Sequence, residues 1–196
     1  GGMINGGSVS ETNGDLLNVS GHAISQLLNL GNSSLSALNG GLANGFLNFE
    51  DFSGDGTSDT LRGTSSDDTF TISAQNDGSV TGGATVDFTN FNNVSGVGGA
   101  DTFIFNASLT GTAAGGAGAD IFNVNATTAA TLTGAAGDDS FNVSANVGGM
   151  IDGGFGSETT GDLLNVSGHA TSQLLNLGNS SLTALNGGAA NGYSNV

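Results

Sequence analysis

Apolar and polar residues alternate along much of this chain. From Phe103 every second residue is apolar or small: Phe103, Phe105, Ala107, Leu109. The pattern returns as Phe122, Val124, Ala126 and then Thr128, and again as Phe141, Val143, Ala145, Val147. Thr, Asn and Ser fill most of the positions between. A period of two sends alternate side chains to opposite faces of a strand. The same start, an Asp two residues ahead of the first apolar position, precedes Phe70, Ile72 and Ala74 at Asp68. It also precedes Leu17 and Val19 at Asp15, and Leu164 and Val166 at Asp162.

The alternation is itself periodic. Phe103, Phe122 and Phe141 stand at every nineteenth position, and so do Asp101, Asp120 and Asp139. A second inward column, Ala113, Leu132 and Ile151, keeps the same spacing. Nineteen residues are too few for a βαβ unit, which needs about 30. They suit one coil of a β-solenoid, two or three short strands joined by tight turns. The expected fold is therefore all-β: a right-handed parallel β-helix of about 19–24 residues per coil, its hand taken from the general crossover rule. A β-sandwich also alternates, but it has no reason to hold inward residues at one fixed spacing.

A longer repeat contains the shorter one. Residues 1–49 return as 148–196, with 39 identities in 49 aligned positions, so the period is 147 residues. This predicts a complete super-repeat over 1–147 and the first third of the next over 148–196, one continuous solenoid without a domain boundary. With no capping segment at either end, which solenoids need for solubility, the chain reads as a length of a longer array.

Composition narrows the function. Only 9% of the residues are charged, against roughly 25% in ordinary soluble domains. There are 36 glycines and no proline, cysteine or tryptophan, and the net charge is −16. Arg62 is the one basic side chain among 17 acids, which argues against nucleic acid as a partner, because phosphates are neutralised by Lys and Arg. The absence of proline suits strands that donate hydrogen bonds to both neighbours. No apolar run approaches the roughly 20 residues of a membrane span, so no membrane insertion is expected.

The turns ahead of the strands carry the candidate chemistry. Residues 115–123, GGAGADIFN, match G-G-x-G-x-D-x-U-x at every fixed position. Partial matches run over 96–104, 134–142, 54–62 and 63–71, the last two in direct tandem. Stacked turns of this kind offer an Asp carboxylate and Gly carbonyls to a hard cation, and calcium wants six to eight oxygen ligands. The candidate calcium ligands are Asp101, Asp120, Asp139, Asp59 and Asp68, with Gly116 and Gly118. The alternative reading is that these aspartates only shape the turns.

This motif resembles the calcium nonapeptide of repeats-in-toxin proteins. Those repeats run in unbroken tandem, whereas here most coils carry one. Segments such as VDFTNFNNVSGVGGADTFIF and GGMIDGGFGSETTGDLLNVSG are more similar to large bacterial surface adhesins and haemagglutinin-like repeat proteins. That resemblance implies a long extracellular stalk on a bacterial cell surface. Its partners would be further copies or repeats of itself end to end, or cell-surface and matrix glycans. A calcium-responsive module that folds after export, or a self-assembling filament subunit, are the alternatives.

Other residues read more plainly. His22 and His169 are one position in two copies and suit an ordinary surface histidine; Glu11 and Glu158, also equivalent, lie in a turn four residues longer than the others. No nucleophile stands with a base, so no enzyme activity is expected. Asn-x-Ser/Thr sequons, as at Asn106 and Asn125, arise easily in a chain rich in Asn, Ser and Thr.

Overall fold

The computed structural model describes the chain except residues 1–3, 7–14, 22–24, 40, 41, 83, 84, 171–174, 177–180, 187, 188 and 195. Glu11 and His22 therefore lie outside the described residues. The described residues are all-β, without a helix, and most strand pairs are parallel. The first ten strands are β1 (Ile4–Asn5), β2 (Leu16–Asn18), β3 (Leu27–Asn29), β4 (Ser34–Asn39), β5 (Leu42–Leu47), β6 (Asp51–Ser53), β7 (Thr60–Arg62), β8 (Thr69–Ala74), β9 (Asp77–Thr81) and β10 (Thr85–Thr89). Then come β11 (Asn93–Gly98), β12 (Thr102–Phe105), β13 (Thr112–Ala117), β14 (Ile121–Val124), β15 (Thr131–Ala136), β16 (Ser140–Val143), β17 (Ile151–Gly154) and β18 (Leu163–Asn165). The last are β19 (Leu175–Asn176), β20 (Ser181–Asn186) and β21 (Ala189–Ser194).

These strands form two sheets. One has 12 strands in the order β1-β5-β4-β3-β7-β11-β13-β15-β17-β21-β20-β19. The other has nine, β18-β16-β14-β12-β8-β9-β10-β6-β2. From β11 to β18 the chain alternates between the sheets, and each strand pairs in parallel with the strand two places later. Thr102 lies opposite Ile121, which lies opposite Ser140. The period read from the sequence is thus the spacing between paired strands. It lengthens where Ser140 meets Leu163, by the four extra positions of the turn that holds Glu158.

Parallel, in-register pairing stacks like on like. Phe70, Phe103, Phe122 and Phe141 form one column, with ring centroids 4.9, 4.8 and 4.7 Å apart and planes within 9° of parallel. Ile72, Phe105, Val124 and Val143 form the next column along the same strands. Leu61, Val94, Ala113, Leu132 and Ile151 line the facing sheet. All of these are buried in a single apolar cluster. Thr128 falls in the buried Leu109–Thr128–Val147 column; its hydroxyl accepts the Leu109 N–H at 3.1 Å and donates to the Leu109 carbonyl at 3.2 Å.

The first half departs from the expected coil length. Leu27 lies opposite Thr60, Thr60 opposite Asn93, and Thr69 opposite Thr102, intervals well beyond those of the later strand pairs. The reason is two antiparallel meanders. In one sheet β3, β4 and β5 reverse direction twice; in the other β8, β9 and β10 do the same. Each meander adds two strands to its sheet between rungs that would otherwise pair directly. Between β1 and its equivalent β17 the larger sheet advances by eight strands, β1, β5, β4, β3, β7, β11, β13 and β15. Between β2 and its equivalent β18 the other sheet also advances by eight, β2, β6, β10, β9, β8, β12, β14 and β16. One meander per sheet keeps the two stacks level over each 147-residue repeat.

The stacked rings make a direct test. Phe122 is fully buried between Phe103 and Phe141, so Phe122→Ala should cost about 3–5 kcal/mol in urea unfolding. Substituting Ile121, whose side chain is 40% exposed on the opposite face of the same strand, should change the midpoint far less.

Candidate functional site

The five aspartates ahead of β8, β12, β14, β16 and β18 come together as a ladder at one edge of the sheets. The backbone N–H of Asp68 donates to Asp101 Oδ1 at 2.7 Å. Asp101 N–H donates to Asp120 Oδ1 at 2.7 Å, and Asp120 N–H to Asp139 Oδ1 at 2.8 Å. Asp139 N–H completes the series on Asp162 Oδ1 at 2.7 Å. Each carboxylate thus ties its turn to the turn before it. Asp68, Asp101, Asp120 and Asp139 are at most 2% exposed.

Asp59 stands apart from this ladder. The tandem motifs 54–62 and 63–71 feed β7 and β8, which belong to different sheets, so Asp59 and Asp68 sit at different corners. Asp59 Oδ1 accepts the N–H of Gln26 and Oδ2 that of Asp55, both at 2.7 Å.

The second carboxylate oxygen is the unusual part. Oδ2 of Asp101, Asp120, Asp139 and Asp162 is buried and has no hydrogen-bond partner. In Asp101, Asp120 and Asp139 it turns toward the glycine five residues earlier, and a Cβ on Gly96, Gly115 or Gly134 would overlap it. Backbone carbonyls face the same spots: Gly115 O is 2.7 Å from where a Cβ on Gly96 would stand, and Gly153 O is 2.5 Å from the corresponding point on Gly134. A buried carboxylate oxygen without a donor disfavours the ionised form of its group.

The electrostatics agree. Burial pushes the Asp120 carboxyl up to about 7 and those of Asp101 and Asp139 up to about 6. The backbone N–H each one accepts pulls the other way, and the neighbouring carboxylates add to the rise. Burial also raises Asp59. Asp138, next in sequence to Asp139, shows the reverse: backbone N–H groups of Thr160, Thr159 and Gly161 converge on its carboxylate and hold it below the usual range. Asp138 thereby ties down the long turn on which Glu158 is exposed.

The two candidate glycines have backbone tasks. Gly118 has φ 128° and belongs to a column with Gly99, Gly137 and Gly156, all at positive φ. A Cβ on Gly118 would overlap the Gly99 carbonyl of the preceding rung. Gly116, with φ 118°, stacks on Val97 and Ala135, which hold φ 89° and 86° without being glycine. The sequence reading missed Gly96, Gly115 and Gly134, although a glycine five residues before each Asp was visible in the motif. His169 Nε2 lies 3.2 Å from Asn146 Oδ1.

As a donor set for a cation, the ladder is all oxygen, the ligand type that a hard ion takes. Among the described residues no three acidic or histidine side chains converge on one point, so any ion between rungs would draw on backbone carbonyls as well. No protein-family model, curated protein or solved structure matches the chain.

Two expectations follow. A carboxyl raised in the folded state keeps its proton while the unfolded chain ionises near pH 4. Ladder stability is therefore complete below about pH 4, falls as pH rises toward about 7, and is flat above. Urea midpoints in chelator should decrease between pH 4.5 and 8, and Asp120→Asn, an uncharged side chain that keeps the Oδ1 acceptor, should flatten that slope. At the corners, Gly115→Ala and Gly118→Ala should each cost several kcal/mol through overlap, whereas Ala135→Gly should gain up to about 1 kcal/mol by relieving its positive φ.

Proposed function

We propose that the chain is a length of right-handed parallel β-solenoid and serves as a structural stalk or filament segment of a giant extracellular, adhesin-like repeat protein. The observation that carries this reading is the matched advance of both sheets by eight strands per 147-residue repeat. At about 4.8 Å per strand, one repeat adds about 38 Å of length, and β17 pairs with β21 as β1 pairs with β5. Such a unit joins to the next without a change of pattern. Reach and spacing are what it supplies, and further repeats of itself are its first partners.

Calcium-responsive stiffening is the second element of the proposal, favoured by the buried, unpaired Oδ2 atoms of Asp101, Asp120 and Asp139. At the pH of an extracellular medium these carboxyls lose their protons, and calcium between the turns would replace them. Inside a cell, where free calcium is scarce, the same ladder would repel itself and weaken the stack, which suits a chain that gains its full stability after export.

The test is a thermal melt followed by circular dichroism at pH 8, in millimolar calcium and in excess chelator. Expected is a higher Tm in calcium, a difference that shrinks in Asp101→Asn, Asp120→Asn and Asp139→Asn. Equal melting in both solutions would leave the stalk but remove calcium from it. Electron microscopy of a multi-repeat array judges the stalk itself: rods lengthening by about 38 Å per added repeat support it, and compact or irregular particles refute it.

A further inference from the structure

The two sheets present different outer faces. On the nine-stranded sheet Asp51 lies opposite Asp87, so carboxylates stack there. On the twelve-stranded sheet one outward column crosses five consecutive strands: Arg62 on β7, Ser95 on β11, Ala114 on β13, Thr133 on β15 and Asp152 on β17. These residues are partly exposed, while their neighbours along the strands, such as Val94, Ala113 and Leu132, point into the core. The column carries one positive and one negative charge, and so no net charge, in a chain of −16.

The two charges are placed symmetrically. Arg62 is two strands before β13, and Asp152 is two strands after it. A half-turn about an axis that runs along β13, just outside the sheet, gives a facing copy with the same strand direction and the reverse strand order. Ala114 then faces Ala114, Ser95 faces Thr133, and Arg62 faces Asp152 on both sides of the axis. Within its own sheet Arg62 stands between Asn29 and Ser95, neither of which is charged. Asp152 Oδ1 accepts the Gly154 N–H at 3.2 Å, and a carboxylate accepts several bonds at once. In the first copy of the long repeat the equivalent of Asp152 is Asn5, so the ion pair fixes which stretch of the face is centred on the axis.

We propose that a second copy of this chain docks on this face, antiparallel in stacking order, with its two-fold axis along β13 and an Arg62–Asp152 ion pair on either side. The interface is isologous. Its strands align as in packed sheets about 10 Å apart, a gap that an arginine side chain bridges to an aspartate. Five strands with three outward positions each cover on the order of 500 Å² per copy. That is below the roughly 800 Å² per partner of a standard interface, so the dimer is weak and depends on its two ion pairs. The outer face of the other sheet offers no such match, because its stacked Asp51 and Asp87 would meet further carboxylates. Docking here needs only the outward face of one sheet, so its outcome is separate from that of the calcium and stalk tests.

Sedimentation equilibrium of the full 196-residue chain should show a monomer–dimer exchange that weakens in high salt. Arg62→Glu and Asp152→Lys each set like charges face to face and should each weaken self-pairing at least tenfold. Mixed in equal amounts, the two variants should pair with each other, and a chain carrying both substitutions should pair with itself. Circular dichroism checks that each variant is folded. The chain has no cysteine, so single introduced cysteines and a short bismaleimide read the orientation. Ala114→Cys should crosslink to itself, and Ser95→Cys and Thr133→Cys only when the two are mixed. Self-crosslinking of Ser95→Cys would mean parallel docking, and dimers indifferent to the charge reversals would mean association elsewhere, such as end to end. Either result, or a monomer at millimolar chain, overturns the proposal.

Discussion

In-register parallel pairing is the constraint on which the rest of this structure depends. When each strand lies in register on its equivalent in the same sheet, every side chain meets its own counterpart. For apolar positions this is an advantage: Phe103 lies flat between Phe70 and Phe122, and four rings form one continuous column. For acidic positions it is a burden, because the same register sets Asp101, Asp120 and Asp139 in a column of like charge. The backbone N–H of each rung meets one oxygen of the next carboxylate, and the second oxygen is left without a donor. The sheet architecture and the unusual chemistry at its edge thus have a single cause.

Neighbouring residues show how strongly environment divides one chemical group. Asp138 and Asp139 are adjacent in sequence. Asp138 points into solvent toward several backbone N–H groups, which favour its ionised form. Asp139 points inward toward a glycine and a carbonyl, and burial favours its neutral form. The alternation of a β-strand extends into the turn and separates the two roles. One aspartate fastens a long loop; the other makes the stability of the stack sensitive to protons and cations.

Much of this was legible in the sequence, and what was not had physical reasons. Columns such as Ala113–Leu132–Ile151 could be read directly, because a fixed spacing with period-two alternation leaves little else for those residues to do. The meanders could not. Asp77–Thr81 and Thr85–Thr89 look like further strands, and periodicity carries no information on the direction a strand takes. Only pairing in space reveals that β9 runs backward and stretches the local interval, so that Phe70 is the ring beneath Phe103. The motif around Asp120 drew attention to Gly116 and Gly118 as carbonyl donors. The steric demand falls on Gly115 as well, and it becomes visible only when the direction of Asp120 Oδ2 is known.

The level advance of eight strands per repeat also sets how such a chain would respond to force. One 147-residue repeat occupies about 38 Å along each sheet, yet the same residues drawn straight would span about 500 Å. A pull along the stack therefore acts on a reserve of hidden length more than ten times the working length. Rungs at an end have one neighbour and would peel singly, each releasing its residues and absorbing work while the remaining stack holds. Under load, a stack of strands paired this way would yield in small steps before it broke.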